Sequence, residues 1–234
     1  MPALFGRMIM RRNVRLILPL LVMVAGACSH ASPAQVANTA PAPTGSDQAA
    51  ESLLVDVRSL DSTISVEARY ATPGNFTGAV LPGYEANRAL LRREAATALA
   101  RVQAHLRRDG LGLRIYDGYR PVRATLAMVA WAERTGQGWV LEQGYVARRS
   151  RHNQGVAVDL TLLDLATGRP LDMGTPFDTF SPAAHTANAS GEARDNRQRL
   201  KRAMEAEGFS NYDQEWWHYI FPVEGAVPFD LVIR

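Results

Sequence analysis

The stretch Val156-Ala-Val-Asp159-Leu-Thr-Leu-Leu163 constrains this chain more than any other. Its apolar and β-branched residues read as a strand inside a core, yet a carboxylate stands in the middle of it. Burying Asp159 unpartnered costs several kcal/mol, so a fold that contains this strand must bring a partner to it, and a metal ion is one such partner.

Possible co-ligands lie on both sides. Ser150-Arg-His152-Asn-Gln-Gly155 leads into the strand, and Gly155 permits a tight turn between His152 and Asp159. Far downstream, His218 closes Glu215-Trp-Trp-His218. Two imidazoles and a carboxylate with one position left open is the arrangement of catalytic zinc, which keeps a water on the metal. The chain has one cysteine, Cys28, so neither an intrachain disulfide nor a zinc site built on thiolates is possible. Glu215 is spaced to take a proton from the activated water and pass it to a leaving amine. Arg120, in Tyr116-Asp-Gly-Tyr-Arg120-Pro121, falls between a strand and a helix, where a fixed donor can meet the oxyanion of a tetrahedral intermediate. Each residue taken singly also has a plainer reading. His152 serves as a loop histidine, Asp159 as a paired core carboxylate, Glu215 as a surface acid and Arg120 as a salt-bridge partner of Asp117. His105 and His185 are assigned to no metal.

Apolar residues at helical spacing predict a helix over residues 88–108, closed by Asp109-Gly110. Pro121 opens a second helix over 122–134, and a third, amphipathic, covers 195–208. Strands are expected at 53–60, 112–116, 156–163 and 216–221, with an extended segment at 64–70. Without a regular βαβ alternation the fold class is α+β: a single compact domain with a small, mainly antiparallel sheet packed by helices and the zinc site at the sheet.

The N-terminal part reads differently. Residues 1–27 carry a basic stretch, a short apolar run and small residues, the layout of a secretory signal peptide. Ala25-Gly-Ala-Cys28 resembles a bacterial lipobox, which implies a lipid on Cys28. Ser29 then points to the periplasm and the outer membrane. Residues 28–51, rich in Ala, Pro, Ser and Thr, read as a tether, and the folded domain is expected over 52–234. Setting aside the four arginines before Cys28 leaves 22 basic against 23 acidic residues, which is no electrostatic footprint for nucleic acid or an anionic membrane.

The runs DGYRP, SRHNQGVAVDLTL and EWWHY resemble those of the VanX-type D-Ala-D-Ala dipeptidases, part of the wider group of zinc D-Ala-D-Ala carboxypeptidases. The segments RYATPGNFTG (69–78) and DMGTPFD (172–178) fit the dipeptidase branch more narrowly. The resemblance spans residues 53–229. It implies one zinc ion per chain on His152, Asp159 and His218, with Glu215 as catalytic base and Arg120 stabilising the tetrahedral intermediate. It also implies a small enclosed pocket for a free D,D-dipeptide. There, Asp178 is expected to hold the α-ammonium, with Tyr70 and Ser150 as wall or hydrogen-bonding residues. An exported enzyme of this kind meets dipeptide released by cell-wall turnover. Two alternatives stay open: a zinc D,D- or L,D-carboxypeptidase trimming peptidoglycan stems, and a non-catalytic peptidoglycan-binding lipoprotein. G-x-S-x-G, H-E-x-x-H, P-loop and dinucleotide motifs are all absent.

Overall fold

A computed structural model describes residues 42–234. The signal peptide, Cys28 and most of the tether lie outside the described residues. Ser46 caps α1 (Asp47–Leu53) by accepting a hydrogen bond from the Ala49 amide. Ala50 is fully buried in a cluster with Leu54 and Phe229, and the Thr44 and Gly45 amides donate to the Pro228 carbonyl. Ordered structure therefore begins before residue 52, where composition placed the boundary. An alanine among small and polar residues carries no periodic signal, and its burial comes from distant chain.

Next come β1 (Leu54–Asp56), β2 (Ser65–Val66), β3 (Leu90–Arg92) and α2 (Arg93–Arg107). The helix expected from residue 88 thus starts at Arg93. Leu90–Arg92 instead pairs antiparallel with β1. The Leu90 carbonyl accepts from Tyr119 and the Arg92 amide donates to Gly155, bonds that an extended backbone makes and a helix forbids. Within α2, Ala95, Leu99, Val102 and Leu106 are buried, as their spacing predicts. The remaining elements are β4 (Leu111–Asp117), α3 (Val122–Arg134), α4 (Trp139–Glu142), β5 (Ala157–Asp164), β6 (Arg169–Pro170), α5 (Gly191–Ala206), β7 (Ser210–Asn211) and β8 (His218–Ile220). The helix expected from 195 begins at Gly191, because its polar first turn has no apolar face to reveal it.

The main sheet runs β2-β4-β5-β8-β7, with β6 paired to the end of β5. Only β2–β4 is parallel; every other pair is antiparallel. This is the small, mainly antiparallel sheet of an α+β domain. Val158, Leu160 and Leu162 of β5 share a core with Leu99 and Val102 of α2 and Leu200 and Met204 of α5. Burying each such side chain stabilises by about 1.5–3 kcal/mol. A second cluster joins Met128 of α3, Val140 of α4, Tyr70, Tyr84 and Phe229. β5 is buried from Ala157 to Leu163, so Asp159 sits where only a partnered charge can stay.

Candidate active site

Sheet register assembles the polar centre. Asp159 on β5 stands opposite Asp117 on β4 and opposite His218 on β8. His152 arrives on a helical turn, Arg151–Gln154, whose N-cap Ser150 accepts from the His152 amide at 3.2 Å. Gly155 ends that turn with φ +69°, a conformation that favours glycine, and a Cβ there would lie 2.4 Å from Leu54 Cδ2, which would have to move. His152 Nδ1 is 2.7 Å from the Gly118 carbonyl. A carbonyl only accepts, so Nδ1 carries the proton and Nε2 keeps a lone pair. That lone pair faces His218 Nδ1 at 3.1 Å and Asp159 Oδ1 at 3.4 Å, while His218 Nδ1 is 2.8 Å from the same carboxylate oxygen. The three ligand atoms lie within 4.8 Å of one another. One divalent cation satisfies such a crowd of acceptors, and a set of two imidazoles and one carboxylate suits zinc. The Gly118 carbonyl behind His152 is the kind of outer support that orients a metal-binding imidazole. The residues present therefore fit the ion.

The electrostatics agree with that use. Burial works against charge on Asp159, but His152 and His218 hold its carboxyl well below the ordinary range. Burial lowers the pKa of His218 against the pull of Asp159, favouring the neutral imidazole that binds metals. Glu215 Oε2 is 3.9 Å from His218 Nδ1, close to the ligand set without belonging to it. Burial, then the charges of Asp159 and Asp178, push the Glu215 carboxyl well above the ordinary glutamate range, opposed by Arg120. A carboxylate so placed binds a proton readily.

Arg120 is fixed from behind. Its Nε and Nη2 donate to Asp117 Oδ2 at 2.9 and 2.8 Å, and the other Asp117 oxygen accepts from the Tyr84 hydroxyl at 2.5 Å. Nη2 also approaches Asp159 Oδ2 at 3.8 Å, and the guanidinium lies over the Tyr70 ring, 5.1 Å from its centroid. Burial raises the pKa of Asp117, and Arg120 and His152 offset this. The salt bridge weighed from the sequence is present, and Arg120 lines the pocket as well. Tyr84 escaped the sequence reading altogether, since a lone tyrosine in a loop gives no sign of a buried carboxylate partner.

All eight residues singled out from the sequence line one pocket of about 330 Å³: Tyr70, Arg120, Ser150, His152, Asp159, Asp178, Glu215 and His218. That is the small end of the ~300–1,000 Å³ typical of ligand pockets. At one end the Tyr70 hydroxyl donates to both Asp178 oxygens, at 3.1 and 3.3 Å. Burial, then the charge of Asp159, raises the Asp178 carboxyl well above the usual range, against the Tyr70 hydrogen bond. Asp178 has φ +60°, the one non-glycine residue among those described in the left-handed region. This costs a side-chain-bearing residue about 1 kcal/mol. Tyr145, Phe180 and Tyr212 are among the other residues of its walls, and the exposed Arg149 and Arg151 line it too. None of these five was singled out from the sequence, because they fall in segments too short to show periodicity. His185 Nε2 pairs with the Tyr145 hydroxyl at 3.1 Å, and His105 pairs with Glu207 at 3.2 Å, neither at the ligand set.

The M15 peptidase family, described as D-ala-D-ala dipeptidase, matches residues 50–230. The chain is 39% identical over 168 residues to a D-alanyl-D-alanine dipeptidase of Enterococcus faecalis, covering 65% of this chain and 83% of the relative. It is 38% identical over 188 residues to one of Streptomyces coelicolor, covering 72% and 91%. It is 35% identical over 177 residues to one of Escherichia coli, covering 75% and 88%. The match takes in every strand of the sheet and every residue of the polar centre, so a metallopeptidase family and a metal-binding geometry meet on the same side chains. This chain belongs to the M15 peptidases, in the D-ala-D-ala dipeptidase family.

Proposed function

We propose that the chain hydrolyses free D-alanyl-D-alanine and similar D,D-dipeptides, with one zinc ion held by His152, Asp159 and His218. The observation that carries this reading is the convergence of the three ligand atoms within 4.8 Å, in a small pocket that Glu215 and Asp178 also line. The names of the relatives support the substrate class. Bound zinc supplies Lewis acidity toward the scissile carbonyl and acidifies water enough for attack at neutral pH. Glu215 accepts the proton at its buried carboxylate and hands it to the departing amine. Arg120, held by Asp117, offers guanidinium N–H groups to the developing oxyanion. Asp178, with Tyr70 behind it, takes the substrate α-ammonium, and Ser150 lines the wall nearest His152. A pocket of this volume suits a small ligand such as a dipeptide.

The same proposal includes export on residues 1–27 and a lipid on Cys28, which face the enzyme toward the periplasm and dipeptides from cell-wall turnover. The sequence features read above support that part. Turnover of D-Ala-D-Ala beside a stem pentapeptide tests the substrate reading. Cleavage of the dipeptide alone is expected, and preferential release of D-Ala from the pentapeptide would replace this reading with a carboxypeptidase. Labelling with a radioactive fatty acid, present in the native chain and lost in Cys28→Ser, tests the anchor.

A further inference from the structure

Among the described residues no arginine or lysine is more buried than Arg197, at 1% exposed. It sits on α5, outside the pocket. Its guanidinium points at backbone alone: Nε donates to the Met173 carbonyl at 2.7 Å, Nη1 to His185 at 2.7 Å and Nη2 to Ala183 at 3.0 Å. One planar fork thus ties two loops to one helix, which a point-like ammonium cannot do.

Both loops lead to the pocket. The first, residues 172–178, ends at Asp178. Its approach to α5 is close: the Asp172 carbonyl accepts from Asn196 at 2.9 Å, and a Cβ on Gly174 would lie 3.1 Å from Ala193 Cβ and 3.4 Å from Arg197 Nη2. The second, residues 182–186, offers the Ala184 carbonyl to the Trp216 amide at 3.1 Å, one residue beyond Glu215. The Trp216 indole N–H then donates back to Thr175 Oγ1 of the first loop at 2.9 Å. Arg197 therefore closes a ring that runs from the Asp178 loop through Trp216 to its neighbouring loop and back to α5.

We propose that Arg197 is a positioning residue, which locks the Asp178 loop to the segment carrying Glu215 and His218 and so sets the distance between the ammonium-binding carboxylate and the reacting centre. The proposal rests on the assignment of Asp178 to the substrate ammonium. A residue acting through Asp178 changes binding only while that carboxylate is present, so a double-mutant cycle reads the coupling directly.

The experiment is D-Ala-D-Ala kinetics on zinc-loaded enzyme for the native chain, Asp178→Asn, Arg197→Lys and the double variant, each with a thermal melt. Arg197→Lys is expected to raise KM about tenfold while kcat stays within about threefold. In the Asp178→Asn background the same change is expected to move KM less than about twofold. If Arg197→Lys does not fold, Gly174→Ala takes its place in the same cycle, since the added methyl pushes the loop off an intact Arg197. A folded Arg197→Lys enzyme with a lowered melting temperature but native KM overturns the proposal, because that is the signature of a purely structural arginine. An equal KM rise with and without the Asp178 carboxylate overturns it too, and leaves the ammonium assignment standing. An unchanged KM in Asp178→Asn alone removes the ammonium assignment, and the positioning proposal falls with it.

Discussion

The two ends of the pocket are built by different means. Asp117, Asp159 and His218 stand in one row across β4, β5 and β8, so hydrogen-bonded register sets their spacing. By contrast Asp178, on a loop, and Tyr70, on the single helical turn Arg69–Ala71, lie 108 positions apart and meet only through side chains. Metal–ligand distances tolerate about ±0.2 Å; adjacent strands place Asp159 and His218, and a capped turn held against the Gly118 carbonyl places His152. A carboxylate that receives an ammonium needs less accuracy but does need to stay in place, and a loop has no ladder to hold it. Ties from α5 and Trp216 take over that work at the loop-built end. The difference predicts that changes at the sheet-built end abolish or slow the chemistry, while changes at the loop-built end weaken substrate binding.

The largest effect is expected from His218→Ala. Removing a residue that pairs directly with Asp159 leaves that buried carboxylate with His152 and the more distant Arg120, and the metal with two candidate ligands, so bound zinc falls toward zero and turnover falls to background. Metal analysis of the purified variant checks the first and a dipeptide assay the second. Glu215→Gln comes next and separates holding the metal from using it. Zinc stays at one per chain while kcat drops about 10²–10⁴-fold, the usual contribution of a positioned acid–base group. A Glu215→Gln enzyme with native kcat would break the proposed proton path.

Arg120→Ala tests the border between the two ends, because its guanidinium touches Asp117 on the sheet side and Tyr70 on the loop side. If Arg120 meets the oxyanion, kcat falls about 10²–10³-fold with a smaller change in KM. Stability falls as well, by about 1–3 kcal/mol, since Asp117 is left buried with only Tyr84 and His152 as partners. A rise in KM at constant kcat would move Arg120 to the binding end and redraw the comparison.

The same division explains what could be read from the chain alone. His152, Asp159, His218 and Glu215 were legible because a carboxylate in an apolar strand is a physical anomaly, and because short runs carried all four. Arg120 was legible from its place between a strand and a helix. Tyr84 was not, since its partnership with Asp117 bridges 33 residues and leaves no mark on local pattern. Arg197 was hidden for another reason. Residues 191–206 also hold Arg194, Arg199, Lys201 and Arg202, and nothing in the spacing tells a buried guanidinium from solvated neighbours. The early start of α1 and the late start of α2 escaped because tertiary partners, Phe229 for one and β1 for the other, decided them against weak local signals.

The smallest effect expected is also the one most specific to the loop-built end. Tyr70→Phe removes a hydroxyl that donates to both Asp178 oxygens and leaves the ring beneath Arg120 in place. The carboxylate gains freedom at the moment it should be fixed, so KM rises about fivefold, the equivalent of roughly 1 kcal/mol for one hydrogen bond. Zinc content and kcat stay within about twofold, because no atom of the sheet-built row has moved. Steady-state kinetics with metal analysis on the same preparation checks both halves. A fall in kcat at unchanged KM would mean that the Tyr70 hydroxyl acts on the reacting centre, and that the two ends are not separable in the way their construction implies.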